Sequence, residues 1–122
     1  MKSIISYLVA PLFFILSLNV SAEYKTTGFT DEEYQKVAKS SGEYRECLNK
    51  IAIEQIEVQN DARAIADYAM KNCASVLEGL YEYLISANYA PEAIKRLLGG
   101  TADQAANKLL RNLMRTMATQ KP

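Results

Sequence analysis

Residues 47–73 read CLNKIAIEQIEVQNDARAIADYAMKNC. The segment opens on Cys47, closes on Cys73 and has Asn60 at its centre, thirteen residues from either cysteine. Asn60 and Asp61 favour a turn and a helix start, because their short side chains bond to nearby backbone groups. Before them, Val37, Tyr44, Cys47, Leu48, Ile51 and Val58 recur at helical spacing. After them, Ile65, Ala66, Ala69, Cys73, Val76, Leu77, Leu80, Leu84 and Ala87 form a second apolar stripe.

A single rod through this region would hold the two cysteines apart. Their separation of 26 residues corresponds to roughly 39 Å at a rise of about 1.5 Å per residue. A disulfide needs Cα atoms within about 7 Å. An antiparallel fold-back at Asn60 brings the cysteines level, and it also pairs Ile51 with Ala69, Tyr44 with Val76 and Val58 with Ala62. All six lie on the stripes, so cysteine symmetry and stripe register predict the same hairpin, over about 31–58 and 61–87. A bridge closing a loop of about 27 residues stabilises by about 3–3.5 kcal/mol in the chain-entropy picture.

On the N-terminal side, Thr30-Asp31-Glu32-Glu33 reads as a capping box, with three acids at the positive end of the helix dipole. Ser40-Ser41-Gly42 is a weak point, predicting either a kink or a break followed by a new start at Ser40 with Glu43. Residues 23–30 read as irregular. Ahead of them, Lys2 begins a short positive region, residues 4–20 are largely apolar, and Val20-Ser21-Ala22 ends the stretch with small residues. That is the pattern of a cleavable secretion signal over 1–22. At 17 residues the stretch lies at the short limit for a bilayer span, so cleavage is the preferred reading over an anchor.

On the C-terminal side, Asn88-Tyr89-Ala90-Pro91 closes the hairpin. Pro91 suits the first position of a short helix 91–98, and Gly99-Gly100 reads as its end. Thr101-Ala102-Asp103-Gln104 reads as a second capping box opening an amphipathic helix 101–118. Ala106, Leu109, Leu110, Leu113, Met114 and Met117 share one arc, and Lys108, Arg111 and Arg115 the other. Residues 119–122 read as a flexible tail. The fold class is therefore all-α, a small single-domain bundle over 31–118 built on a disulfide-stapled hairpin.

Composition narrows the function. The 122-residue chain has 14 basic and 14 acidic side chains. Loss of residues 1–22 removes Lys2 and leaves a mature charge of −1, which argues against nucleic-acid binding. Two cysteines in an exported chain favour a structural bridge over a metal site or a redox pair, and no CxxC is present. There is no histidine, which removes the commonest general base and the usual zinc ligand sets. GxSxG, HExxH and phosphate-binding glycine loops are also missing. Neither a catalytic set nor a cofactor is predicted.

The candidate contact residues are therefore on surfaces. Glu54, Glu57 and Asp61 gather acid near the hairpin tip, as a solvated face or a site for a basic partner. Tyr81 and Tyr83 lie two apart, so one narrow stripe cannot bury both. Lys108, Arg111 and Arg115 form a basic face that suits a partner or a membrane surface. The function expected from sequence is a non-catalytic binding or accessory module of the cell envelope, in the periplasm or secreted, whose partner is another envelope or secreted protein. A membrane-surface or lipid-binding role for the last helix is the alternative, an enzyme or redox protein ranks behind both, and self-association is a further option.

Overall fold

A computed structural model describes residues 24–25 and 28–120, and the signal-like stretch lies outside them. Four helices follow one another: α1 (Asp31–Ile56), α2 (Ala62–Asn72), α3 (Ala74–Ser86) and α4 (Pro91–Thr119). The all-α bundle and its stapled hairpin are both present. Cys47 and Cys73 are bonded, with Cα atoms 5.9 Å apart.

The capping box at the start of α1 is complete. Thr30 Oγ1 accepts the Glu33 N–H at 3.1 Å, and Glu33 Oε1 accepts the Thr30 N–H at 3.1 Å. The helix then runs unbroken through Ser40-Ser41-Gly42. Ser40 is buried within it and does not act as a new cap. α1 ends at Ile56, where Gln59 and Val58 both turn back to the Gln55 carbonyl. Val58 therefore leaves the stripe; it is 73% exposed and does not pair with Ala62 in a core. Asp61 opens α2, its Oδ1 accepting the N–H groups of Arg63 and Ala64 at 3.1 and 3.2 Å.

The second arm of the hairpin differs from the expected single helix over 61–87. It breaks at Cys73, whose backbone (φ −104°, ψ 6°) ends α2 and precedes α3. The helices on the two sides of this break serve two separate apolar clusters. In the first, Ile65, Ala66 and Ala69 of α2 pack with Tyr44, Leu48 and Ala52 of α1 and with Ala105, Leu109 and Leu113 of α4. In the second, Leu80 and Leu84 of α3 pack with Tyr89, Ile94 and Leu98. Leu77 touches both clusters.

α3 ends in a Schellman turn. Asn88 takes a left-handed conformation (φ 73°), the Tyr89 N–H reaches the Leu84 carbonyl at 3.2 Å, and the Asn88 N–H reaches that of Ile85 at 2.9 Å. Asn is the residue after glycine best suited to this position. Tyr89 and Leu84 meet in the second cluster, which is the apolar contact that usually accompanies the motif.

The expected pair of helices 91–98 and 101–118 is one helix. α4 passes through Gly99-Gly100, neither glycine has positive φ, and Thr101 Oγ1 donates to the Leu97 carbonyl at 3.1 Å instead of capping a new start. Leu98 is anchored in the second cluster and Ala105 in the first. These anchors, on either side of the glycines, hold the backbone helical across the local stop signal. A Cβ on Gly99 or Gly100 would meet nothing within 4 Å. Gly99→Ala and Gly100→Ala should each therefore raise stability, by about 0.8–1 kcal/mol, since alanine fixes the helical backbone at lower entropy cost. Chemical denaturation of each variant checks this; a loss of stability would mean that the helix is not continuous there.

Candidate binding trough

α1 and α4 lie side by side and run in the same direction. Residues 41–56 of α1 face residues 101–116 of α4 in order, and an open trough runs between them. At its start, Ser41 and Arg45 face Thr101, Gln104 and Lys108. In the middle, Leu48 and Asn49 face Leu109 and Asn112 over a small depression of about 110 Å³. At its end, Ala52, Ile53 and Ile56 face Leu113 and Thr116, enclosing about 360 Å³ of largely apolar space.

The trough lies along the edge of the buried face of α1, and Leu48 and Ala52 form part of its floor. Its stripe of Tyr44, Leu48 and Ala52 points into the first cluster, where α2 covers it. Ile53 lies off that stripe and is 68% exposed. The trough's charge is one-sided. Among the described residues, Arg45 and Lys108 are the charged ones that line it, and no carboxylate does. Among the described residues, the ion pairs are Lys25–Glu33 and Lys95–Glu92, so neither Arg45 nor Lys108 is neutralised by a neighbour in this way. Asn112 Oδ1 accepts a long contact of 3.4 Å from Arg115.

The chain matches no family model, no curated protein and no solved structure.

Of the surface residues singled out in the sequence, Lys108 lies in the trough. Arg111 and Arg115 are exposed beside it on α4. Tyr81 lines a separate apolar groove with Tyr44, Met70, Leu77 and Leu98, while Tyr83 lies under the Lys36 ammonium at 5.5 Å. Both tyrosines are half-buried. Glu54 and Glu57 are exposed, and Asp61 is engaged as the α2 cap. Among the described residues, no three acids or cysteines gather closely enough to hold a metal ion. Sequence reasoning missed Arg45, Asn49, Ile53 and Asn112. The signal for Ile53 was available, as an isoleucine two residues from Ile51 and therefore off the stripe.

A second polar cluster closes the other end of the fold. Buried Glu33 accepts from Lys25 Nζ at 2.8 Å, from the Tyr89 hydroxyl at 2.5 Å and from its own capping partner. Lys25 also lies over the Tyr89 ring at 4.9 Å, and its N–H reaches the Asn88 carbonyl at 3.0 Å. Phe29 packs edge-on against Tyr89. The cluster ties the segment before α1 to the turn before α4. The Lys25 ammonium and then the Tyr89 hydroxyl hold the Glu33 carboxyl down at about 2, from an ordinary 4.5. The bond to Glu33, with burial, pushes Tyr89 from 10.0 up to about 12. The cluster's hydrogen bonds and ring contacts join residues far apart in the chain, so it works as a lock between these segments.

The pH dependence of the lock follows from these shifts. Glu33 is depressed, so its contribution is complete above about 4.5 and is lost as pH falls toward 2. Tyr89 is raised, so its contribution is complete below 10 and is lost as pH rises through 12. The stability gap between wild type and Glu33→Gln should therefore be wide at pH 7 and shrink steadily between pH 4.5 and 2. Melting curves across that range check it; a gap independent of pH would contradict the lock.

Proposed function

We propose that this protein is an exported, non-catalytic binding module of the cell envelope that receives a partner protein in the α1–α4 trough. The observation that carries this reading is the trough itself: a helix-lined channel with an apolar end, Ile53 exposed on it, and two cations within it that form no ion pair among the described residues. Exposed apolar surface bordered by polar residues is the usual mark of a protein contact site, and helix-lined grooves commonly receive helices. The Cys47–Cys73 bridge and the signal-like 1–22 stretch support export to an oxidising compartment.

The alternative, a membrane-surface role for the basic helix, has less to work with. Leu109 and Leu113 are buried against α1 and α2, so the helix would have to leave its core to present them to lipid. Met114, 58% exposed, is the large apolar side chain that α4 leaves at the surface. Among the described residues, no helix is long and apolar enough to cross a membrane.

Ile53→Glu tests the reading. The side chain is exposed, so the fold and melting temperature should hold to within about 0.5 kcal/mol. A charge on the apolar end of the trough should weaken capture of the partner from envelope extract by about 30-fold or more, the cost of losing a contact hot spot. Equal recovery of the same proteins by wild type and variant would contradict the proposal.

A further inference from the structure

We infer that the occupant of the trough is an amphipathic helix of a partner protein, carrying a carboxylate seven or eight residues from its apolar anchors. The inference rests on the trough being the binding face and adds the chemistry of what it binds.

The charge lining selects an anion. Arg45 and Lys108 face each other across the polar end, with no acid in the lining and no ion pair of their own among the described residues. The geometry then selects a helix. From Arg45 to Ile53 along α1, and from Lys108 to Thr116 along α4, is eight residues, or roughly 12 Å at about 1.5 Å per residue. A third helix laid in the trough covers the same distance in seven or eight residues, which return to the same face after about two turns. Apolar side chains one turn apart would sit on Ile53 and Leu113, and an acid two turns away would reach Arg45 and Lys108. The exposed amides of Asn49 and Asn112 lie between these ends and suit polar side chains in the middle.

The openness of the trough weighs against a small amphipathic lipid. Small-ligand sites bury some 70–90% of their ligand. Here Ile53, Asn49 and Asn112 are all exposed, so an acyl chain would stay largely wet. A helix brings its own width and covers the floor.

The experiment uses the oxidised mature chain and a fluorescent 16-residue helical peptide on an alanine–glutamine background. The peptide carries Leu at positions 4 and 8 with Glu at positions 12 and 15, or Leu at 8 and 12 with Glu at 1 and 4, so that both chain directions are sampled. Anisotropy at low salt should show one of these binding about tenfold or more tightly than its Glu-to-Lys counterpart. The preference should shrink at 0.5 M salt, where screening is strong, and reverse in the Arg45→Glu/Lys108→Glu variant, whose substitutions are both at exposed positions. Absence of a charge preference, or one that survives the double charge reversal, would overturn the inference. So would saturable binding of oleate without peptide binding, which would mark a lipid site, or Ile53-dependent dimerisation, which would mark a second copy as the occupant. If the peptides fail while Ile53-dependent capture of an envelope protein persists, the occupant is wrong and the binding module stands. If both fail, the trough reading itself falls.

Discussion

Cys47→Ala/Cys73→Ala should unfold about 3.5 kcal/mol more easily than the oxidised wild type. The bridge joins residues 26 apart, and the chain-entropy account of so long a loop gives that figure. A domain of this size holds only about 5–15 kcal/mol in total, so the bridge is a large share of the margin. The melting temperature should fall by roughly 15–25 °C. The location adds to the effect. Cys73 is 1% exposed and marks the break between α2 and α3, so its sulfur fixes the position from which α3 departs toward the second cluster. Reductant should lower the melting temperature of wild type and leave the variant unchanged. Equal stability of oxidised and reduced wild type would show that the bridge adds nothing to the hairpin.

Leu84→Ala should cost about 3 kcal/mol, within the range for leaving a cavity in a packed core. Leu84 is 0% exposed and lies among Leu80, Tyr89, Ile94 and Leu98. Its backbone carbonyl also accepts the Tyr89 N–H that closes the Schellman turn, and its side chain meets the tyrosine that the turn delivers. The cavity would therefore open beside the Glu33–Tyr89 lock. Ile85→Ala, one residue on and 37% exposed, is the control and should change stability far less. If both variants lose the same amount in denaturant unfolding, the second cluster is not the core of this end of the molecule.

The hairpin is legible in the sequence because two independent periodicities agree on it. The cysteines are symmetric about Asn60, and the stripes that flank them are in register under the same fold-back. What the sequence hides is decided by contacts between distant segments. No glycine or proline marks the break at Cys73; it follows from α2 and α3 serving different clusters. Gly99-Gly100 carries a strong local stop signal, and anchors at Leu98 and Ala105 override it. Helix propensity is a weak prior against tertiary packing of that kind. Glu33 is visible as a cap, but its bond to Tyr89 spans 56 residues and no spacing rule reaches that far.

The trough is hidden for the same reason. Arg45 and Lys108 are 63 positions apart in the chain, and each by itself is an ordinary solvated cation. Only the parallel placement of α1 and α4 puts them on one channel with Ile53 at the other end. The basic face expected on the last helix is real as an arc of exposed side chains, but Lys108 alone among its three cations lines the trough.

The most direct test of the trough as the binding face is site-specific photo-cross-linking in intact cells. A photoreactive amino acid at position 53 should give a discrete cross-linked product with one envelope protein, and the product should fade when Arg45 and Lys108 are both changed to Glu. The same probe at Ser75, exposed on α3 away from the trough, should give none. A product of equal yield from both positions, or none from position 53, would contradict the assignment of α1 and α4 as the binding face.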